Sequence, residues 1–401
     1  MPLISHSFLL RHAWAWLVPL SVVLAVLLLE GTLRLFPSLL PIKAQQRLLL
    51  LTTTGGPKSV GDPYLGFTYP PFFKTELITR DFRFTIESDE HGFRNRSPWP
   101  DRAEVVIVGD SLAYGYGVTK EQAWPTLLDD ALPVSRVITL GIPGTVPQQY
   151  TRYFERFGVA LHPKVLIYTI FPGNDIVEAP LFDQWLAAGS QGNYDVWRYF
   201  QGKPPSVANS FLERSYLVLA LDGLRKSLRY RFSSSAIQLA DGGKLSLAPG
   251  RYASTIDANK PGEPGFDSVV RATREAKALA DAIGCHFIVL LVPTAEDVYL
   301  PLHDRLFPGG LSQPQFPGLS RPLQETLARE QGMATLDLTD AFTRIAARGQ
   351  TLFFEIDGHP NALGNRAMAD YVAQYLRSNA QTLGLDDWNQ ADPPSDLARA
   401  R

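Results

Sequence analysis

The sequence predicts an α/β fold built on a central parallel β-sheet, because one pattern occurs three times in succession. An apolar run of four to six residues is followed by small or turn residues and then by a stretch with helical periodicity. Short runs rich in β-branched residues indicate buried strands. Strands that alternate with helices pair in parallel through right-handed crossovers. The three units begin at Val105–Val108, Val137–Leu140 and Val165–Ile170.

Length and composition limit the classes of function. The 401 residues exceed one typical domain, so we expect a core with additions. A formal net charge of −2 provides no basic surface for nucleic acid. The single cysteine, Cys285, excludes an intramolecular disulfide and a cysteine-based metal site, and its apolar surroundings predict a buried, inert thiol. The histidines show no metal-ligand spacing, so we expect no metal or other cofactor.

The N-terminal region predicts a membrane anchor. Ala13–Leu29 carries no charge and, with the apolar residues after it, is long enough to cross a membrane. Trp14 and Trp16 lie near one end, as interfacial aromatics do. No small-residue cleavage site follows the run, which favours an uncleaved anchor over a signal peptide. We expect residues 1–12 to be a short flank and residues 13–36 a transmembrane helix in the cell membrane. The basic residues after the span favour a cytoplasmic C-terminal part, but large domains translocate despite such charges, so we expect export.

The remaining chain divides by composition. Residues 37–61 are an apolar juxtamembrane stretch and a Gly-Gly-Pro linker, and residues 62–103 alternate short apolar runs with turns, which predicts a β-rich extension. Residues 104–380 form the α/β domain. Its insertion, about 177–264, is rich in aromatic residues that either contact a sugar or acyl chain or hold the insertion together. The polar tail, 381–401, is expected to be disordered.

Strand and helix periodicity defines the other elements of the α/β domain. The same patterns continue after the insertion to a last helix that follows a Pro-Asn start signal. The predicted strands are His286–Val292 and Ala334–Leu338, and the predicted helices are Gln122–Leu132, Gln148–Phe157, Ser268–Ile283, Arg321–Gln331, Thr339–Ala347 and Ala362–Ser378.

Four short blocks contain the residue types that ester chemistry uses. Gly109-Asp110-Ser111, Gly141 and Gly173-Asn174-Asp175 each follow a predicted strand, and Asp357-Gly358-His359 precedes the last helix. The carboxyl ends of parallel strands share one edge of a sheet, so all four blocks can converge there. Each block alone is an ordinary turn or helix cap. The information lies in their combination.

The chemistry of acyl transfer assigns roles to three of these side chains. A serine hydroxyl is a poor nucleophile until a base takes its proton, and histidine has a suitable pKa near neutrality. Ser111 is therefore the candidate nucleophile and His359 the candidate base. A carboxylate on the other ring nitrogen fixes the tautomer and stabilises the imidazolium. Asp357 is the candidate for that role, with Glu355 as a weaker substitute.

The blocks resemble the SGNH, or GDSL-type, hydrolase family, since the first block reads Gly-Asp-Ser-Leu at Gly109–Leu112. The resemblance covers about Glu104–Ser378 apart from the insertion and is to the membrane-anchored bacterial type. It implies a three-layer, flavodoxin-like fold. It also implies an oxyanion hole formed by the backbone N–H groups of Ser111 and Gly141 and the side-chain amide of Asn174.

Two positions depart from the usual family pattern. One residue, rather than two, separates Asp357 from His359, a spacing that looks like the one in membrane-associated and polysaccharide-modifying members. Thr139 stands where the second block often has asparagine, which concerns support of the loop. Asp110 and Asp175 are expected to support their loops by hydrogen bonding rather than to react.

The resemblance implies a serine esterase that hydrolyses O-acyl (acetyl or lipid) esters through an acyl-enzyme on Ser111, without a cofactor. The expected partners are the membrane and an acyl-ester substrate, for which a polysaccharide or a lipid is the candidate. The alternative is an O-acyltransferase that modifies a cell-envelope polysaccharide or exopolysaccharide with the same triad. A non-catalytic carbohydrate-binding module is disfavoured because the set of catalytic residue types is complete.

Overall fold

A five-stranded parallel sheet forms the centre of the α/β domain in this computed structural model, which describes residues 6–41, 44–45, 59–131, 137–199, 215–233, 235–302, 318–330, 333–385 and 388. The strands are β1 (Val60–Asp62), β2 (Gly66–Thr68), β3 (Lys74–Ile78), β4 (Arg83–Glu87), β5 (Val105–Val108), β6 (Val137–Thr139), β7 (Val165–Ile170), β8 (Ser235–Gln238), β9 (Lys244–Leu247), β10 (His286–Leu291) and β11 (Ala334–Asp337).

The helices connect and flank these strands. They are α1 (His6–Leu35), α2 (Ser111–Tyr114), α3 (Trp124–Asp130), α4 (Pro147–Tyr153), α5 (Asp175–Ala187), α6 (Tyr194–Tyr199), α7 (Tyr216–Ser233), α8 (Pro249–Ala258), α9 (Pro264–Ala282), α10 (Ala295–Tyr299), α11 (Ser320–Leu327), α12 (Thr339–Ala346) and α13 (Ala362–Ser378). Single turns of 3-10 helix lie at Pro37–Leu39, Lys120–Gln122 and Val159–Leu161, and a π-helical turn lies at Phe154–Gly158.

The central sheet has the strand order β11-β10-β7-β5-β6, and every neighbouring pair is parallel. All residues of β5 and β7 are buried, which explains their continuous apolar sequences, because a central parallel strand is covered on both faces. The predicted α/β class with a central parallel sheet is confirmed, and β5 and β7 have the predicted bounds.

Helices cover both faces of the sheet. Ile107, Ile167 and Ile288 are register partners that pack into one core cluster with residues of α3, α12 and α13. The neighbouring residue in β7, Tyr168, points to the opposite face. Its hydroxyl donates to the carbonyl of Pro147 in α4. The α/β domain therefore has three layers, with the sheet in the middle.

The aromatic-rich insertion has more regular structure than its sequence suggested. It contains most of α5, then α6, α7, the hairpin β8–β9 and α8. The side chains of Phe182, Trp185 and Tyr194 are fully buried and pack against one another, with ring centroids 4.8–5.6 Å apart. These three rings hold the insertion together and present no open face to a sugar or an acyl chain.

One part of the insertion groups with the N-terminal region instead of the α/β domain. Residues 204–229 and residues 1–56 make up one compact unit, and the rest of the chain makes up the other. Within the first unit, Leu219 of α7 packs with Leu33, Leu40 and Ala44. The contacts that define this unit join residues that are far apart in the chain, so the local sequence predicts this segment to be part of the α/β domain instead.

The start of the tail is also different from the expectation. Leu385 and Trp388 are buried in the main core, and the indole N–H of Trp388 donates to Glu104 Oε2 at 3.0 Å. Residues 381–385 and 388 are thus ordered parts of the domain, because apolar side chains among the polar residues fill the core. Residues 389–401 lie outside the described residues, as does most of the predicted linker.

Candidate active site

Ser111 is the first residue of α2, directly after β5, and its side chain is almost completely buried. The turn is held by Asp110, whose Oδ1 accepts a hydrogen bond from the Leu112 N–H at 2.8 Å. A short polar side chain at this position satisfies a backbone N–H that has no partner within the helix. The cap therefore fixes Ser111 at the carboxyl edge of the sheet, as predicted from the sequence.

His359 lies within hydrogen-bond distance of this serine. Ser111 Oγ is 2.8 Å from His359 Nε2, and His359 Nδ1 is hydrogen-bonded to Asp357 Oδ1. With the ring proton on Nδ1, Nε2 is free of hydrogen and accepts the serine proton. The structure therefore brings together the three residues that the sequence analysis selected, with Asp357 rather than Glu355 on the ring. This is the arrangement that base-assisted attack by serine requires.

A one-residue spacing between Asp357 and His359 works because the backbone reverses at Gly358. Its φ of +82° lies in the left-handed region, which glycine adopts without steric cost. On the other side of the histidine, Asn361 caps α13 by accepting hydrogen bonds from the Leu363 and Gly364 N–H groups. The turn and the cap fix the chain on both sides of His359.

The His–Asp pair is partly buried. The side chain of Asp357 is 7% exposed and that of His359 is 22% exposed. The ring of Tyr116 packs against the imidazole, with 4.8 Å between the ring centroids. Low exposure strengthens the electrostatic stabilisation of an imidazolium by the carboxylate.

Asn174 is held beside the turn that carries Ser111. It follows β7, and its Nδ2 donates to Asp110 Oδ2 at 2.9 Å. An amide nitrogen carries two hydrogens. One of them is thus fixed by the same aspartate that caps α2, and this fixes the direction of the other.

Gly141 lies against α2, the helix that begins at Ser111. A Cβ atom at this position would lie 2.6 Å from the carbonyl carbon of Ala113 and from the Tyr114 nitrogen, so only glycine fits. Its N–H donates to Thr139 Oγ1 at 3.2 Å, and the Thr139 hydroxyl donates to the Ala113 carbonyl at 2.9 Å. Thr139 therefore supports the loop, and the Gly141 N–H can reach a substrate oxygen only as a shared, three-centre donor.

Asp175 has a structural role in this geometry. It is fully buried, and its carboxylate accepts hydrogen bonds from the Tyr150 hydroxyl at 2.7 Å and the Phe171 N–H at 2.8 Å. Burial and the nearby charge of Asp110 raise the pKa of the Asp175 carboxyl well above its usual value. It supports the loop that carries Asn174, as the sequence analysis expected.

Sequence reasoning missed the residues of the N-terminal extension that support the site. The buried Arg94 donates to the carbonyls of Gly115 and Val118, and the Asn95 side chain exchanges two hydrogen bonds with the Thr139 backbone. The only local signal was a polar run in a turn, which carries little information. His91, in the same run, packs on a tryptophan and is a turn residue.

Neither a cluster of metal-ligand side chains nor a reactive thiol occurs in the part of the chain that the structure describes. No group of three or more His, Cys, Asp or Glu side chains there could hold a metal ion. Cys285 is buried, and its burial raises the pKa of the thiol to about 12. A thiol in this state stays protonated at neutral pH and is a poor nucleophile.

Comparison with known proteins identifies the domain. A family described as the GDSL-like lipase/acylhydrolase family matches residues 107–367, which is more than half of the chain. The search of curated proteins found no match to this chain.

Several solved structures are similar to the chain at low identity. A G-D-S-L family protein from Desulfitobacterium hafniense DCB-2 has 12% identity and a TM-score of 0.36, over 67% of this chain and 97% of the other. A G-D-S-L family member from Veillonella parvula DSM 2008 has 15% identity and a TM-score of 0.34, over 69% and 98%. A salicylyl-acyltransferase from a tetracycline biosynthetic pathway has 12% identity and a TM-score of 0.32, over 74% and 59%.

The first prediction concerns Asn174. We expect Asn174→Ala to lower kcat by about 100-fold or more with little change in KM, because the lost donor acts mainly on charge that develops in the transition state. Steady-state hydrolysis of a short-chain aryl ester measures both constants. Asn193→Ala is the control, since it removes an amide donor to Ser59 outside the site. A loss confined to KM would contradict the assignment.

The second prediction separates the two acids of the last block. Asp357→Asn should lower kcat by about 10³- to 10⁴-fold, because an amide no longer holds the imidazole in the required tautomer. Glu355→Gln, two residues away, should stay within about threefold of the unmodified protein. Equal losses in the two variants, measured with the same aryl ester, would contradict the assignment of Asp357.

Proposed function

The chain belongs to the GDSL-like lipase/acylhydrolase family, and on that premise we propose that it is a serine esterase that hydrolyses O-acyl esters through an acyl-enzyme on Ser111. Family membership supports ester hydrolysis or acyl transfer in general. The observation that carries the more specific proposal is the continuous contact from Ser111 Oγ through the His359 ring to Asp357.

In the first half of the proposed reaction, Ser111 Oγ attacks the carbonyl carbon of the ester while His359 Nε2 takes the serine proton. The carbonyl oxygen becomes an oxyanion, which accepts hydrogen bonds from Asn174 Nδ2 and from the N–H groups of Ser111 and Gly141. Asp357 stabilises the imidazolium. When the tetrahedral intermediate collapses, the C–O bond to the alcohol breaks, and His359 donates its proton to the leaving oxygen.

The second half of the reaction removes the acyl group. Water attacks the acyl carbon, and His359 takes a proton from it. The bond to Ser111 Oγ then breaks, the serine regains a proton from His359, and a carboxylic acid leaves. Apart from the ester and the attacking water, the proposed steps use only groups of this chain.

We propose water as the acceptor in place of a sugar hydroxyl. The alternative of an O-acyltransferase rested partly on aromatic rings that could stack on a sugar. Phe182, Trp185 and Tyr194 are buried against one another, so these rings do not support that alternative. Acetyl and lipid esters both remain within the proposed substrate class.

We also propose that α1 is retained as a single-pass anchor in the cell membrane, with the catalytic domain on the extracytoplasmic side. Within the described residues, Trp16–Leu35 is long and apolar enough to span a membrane, and its side chains are largely exposed. The Glu30 carboxylate accepts hydrogen bonds from the Ser215 hydroxyl and from the backbone N–H groups of Tyr216 and Leu217. A segment that is removed after export would not cap a helix of the mature protein, which favours retention.

The third prediction tests the nucleophile. Ser111→Ala should abolish hydrolysis of a short-chain aryl ester and covalent labelling by a fluorophosphonate, because the attacking oxygen is gone. Mass spectrometry of the labelled unmodified protein should find the probe on Ser111. The matched control is Ser246→Ala, at a serine in β9 on the same domain, which should keep both activities. Labelling or turnover that persists in Ser111→Ala would contradict the proposal.

Analysis of the reaction products separates hydrolysis from acyl transfer. With an acetyl donor and a polysaccharide acceptor present together, we expect acetate as the main product. Accumulation of acetylated polysaccharide in preference to acetate, dependent on Ser111, would overturn the choice of water and support the O-acyltransferase.

The fourth prediction tests retention of α1. Protein recovered from the membrane fraction should have its intact N-terminus, including Glu30, and should resist extraction with carbonate but not with detergent. Intact-mass measurement distinguishes the retained chain from a shortened one. A soluble mature protein that begins after Glu30 would contradict the anchor.

A further inference from the structure

We propose that the hairpin β3–β4 of the N-terminal extension belongs to the catalytic apparatus and that Asp81, in its turn, is a positioning residue for Asp357. The inference rests on the proposed esterase function, because it assigns to Asp81 the task of fixing the acid that orients His359.

The first observation is a pair of hydrogen bonds to the loop that carries the acid. Asp81 Oδ2 accepts from the Ile356 N–H at 2.9 Å and from the Asp357 N–H at 2.8 Å. One carboxylate oxygen thus holds two consecutive backbone amides, one of which belongs to Asp357 itself. The direction of the Cα–Cβ bond of Asp357 follows from the orientation of this backbone, so Asp81 fixes the point from which the Asp357 carboxylate reaches His359.

The second observation is an aromatic contact from the same turn. The ring of Phe82 packs on Phe354 at a centroid distance of 4.6 Å and on Tyr116 at 5.9 Å. Tyr116 in turn packs on the imidazole of His359. The turn therefore supports the acid through hydrogen bonds and the base through ring contacts.

The hairpin is itself fixed at both ends. Thr79 Oγ1 accepts hydrogen bonds from the N–H groups of Asp81 and Phe82, which defines the turn. At the far end of β4, the Tyr114 hydroxyl donates to the Glu87 carbonyl at 2.6 Å and accepts from its N–H at 2.9 Å. Because Tyr114 lies in the nucleophile helix, the hairpin joins the element that carries Ser111 to the loop that carries Asp357.

The surroundings of Asp81 disfavour the charged form of its carboxyl. Burial raises the pKa of the Asp81 carboxyl, and the negative charges of Asp357 and Glu355 raise it further. The two backbone hydrogen bonds lower this pKa but do not cancel the increase. Ionisable groups with perturbed pKa values are concentrated at functional sites. The position of Asp81 beside the catalytic acid therefore agrees with a role in catalysis.

Two substitutions at position 81 separate positioning from general stability. Asp81→Ala removes both hydrogen bonds, whereas Asp81→Asn keeps an oxygen that accepts from the same amides. Glu76→Ala is the matched control, because Glu76 lies on β3 of the same hairpin and is exposed. Its ion pair with Arg83, at 3.4 Å, is also exposed to solvent. If Asp81→Ala does not fold, Asp81→Ser, whose side chain is too short for the same contacts, takes its place.

The measurements are kcat and KM for an aryl ester, the rate of fluorophosphonate labelling at Ser111, and the thermal midpoint. We expect Asp81→Ala to lower kcat and the labelling rate by about tenfold or more, with KM changed less than about twofold, because small errors in the position of a catalytic group are costly. Asp81→Asn should recover most of the loss, and Glu76→Ala should match the unmodified protein.

The inference is overturned if Asp81→Ala keeps the kcat and labelling rate of the unmodified protein, or if Glu76→Ala shows the same loss. It is also overturned if the loss in kcat is accompanied by an equal rise in KM. Failure of the proposed function has a different signature. In that case the unmodified protein itself shows no hydrolysis or labelling that depends on Ser111, and the inference fails with it.

Discussion

The proposed chemistry depends on one hydrogen bond, from Ser111 Oγ to His359 Nε2, between residues that are 248 positions apart in the chain. Proton transfer needs the two heavy atoms within about 3 Å of each other. The parallel sheet positions Ser111, because the buried strand β5 ends just before it. The turn at Gly358 and the cap at Asn361 position His359 close to Ser111.

The elements that could be predicted from the sequence are those whose signal is local. Buried strands show continuous apolar runs, and the last helix has the predicted bounds, Ala362–Ser378, because its cap and periodicity lie within it. Ser111, Asp357 and His359 stood in recognisable blocks. Helix α5 was missed because Pro180 and clustered aromatic residues obscure its periodicity, and Trp388 because its neighbours are polar.

The support of the site could not be predicted, since its contacts join distant residues of ordinary local sequence. Asp81 accepts a hydrogen bond from the backbone N–H of Asp357, which lies 276 residues later in the chain. The local sequence at either position does not indicate the other. The same holds for Glu30 and its partners near residue 216. Composition does not reveal such pairs. They emerge only when the fold has fixed which loops meet.

Four aspartates near the site show how surroundings, rather than residue type, decide a role. Asp110 caps the nucleophile helix and holds Asn174, and the fully buried Asp175 binds a tyrosine hydroxyl. Asp357 contacts the imidazole of His359. The hydrogen bonds described for the Asp81 carboxylate go to backbone N–H groups, one of which belongs to Asp357. The acid that meets a base can stabilise developing positive charge, and the others can only hold geometry. On this argument the extension and the last loop act together: one side chain supplies the charge, and the other fixes the direction in which it acts.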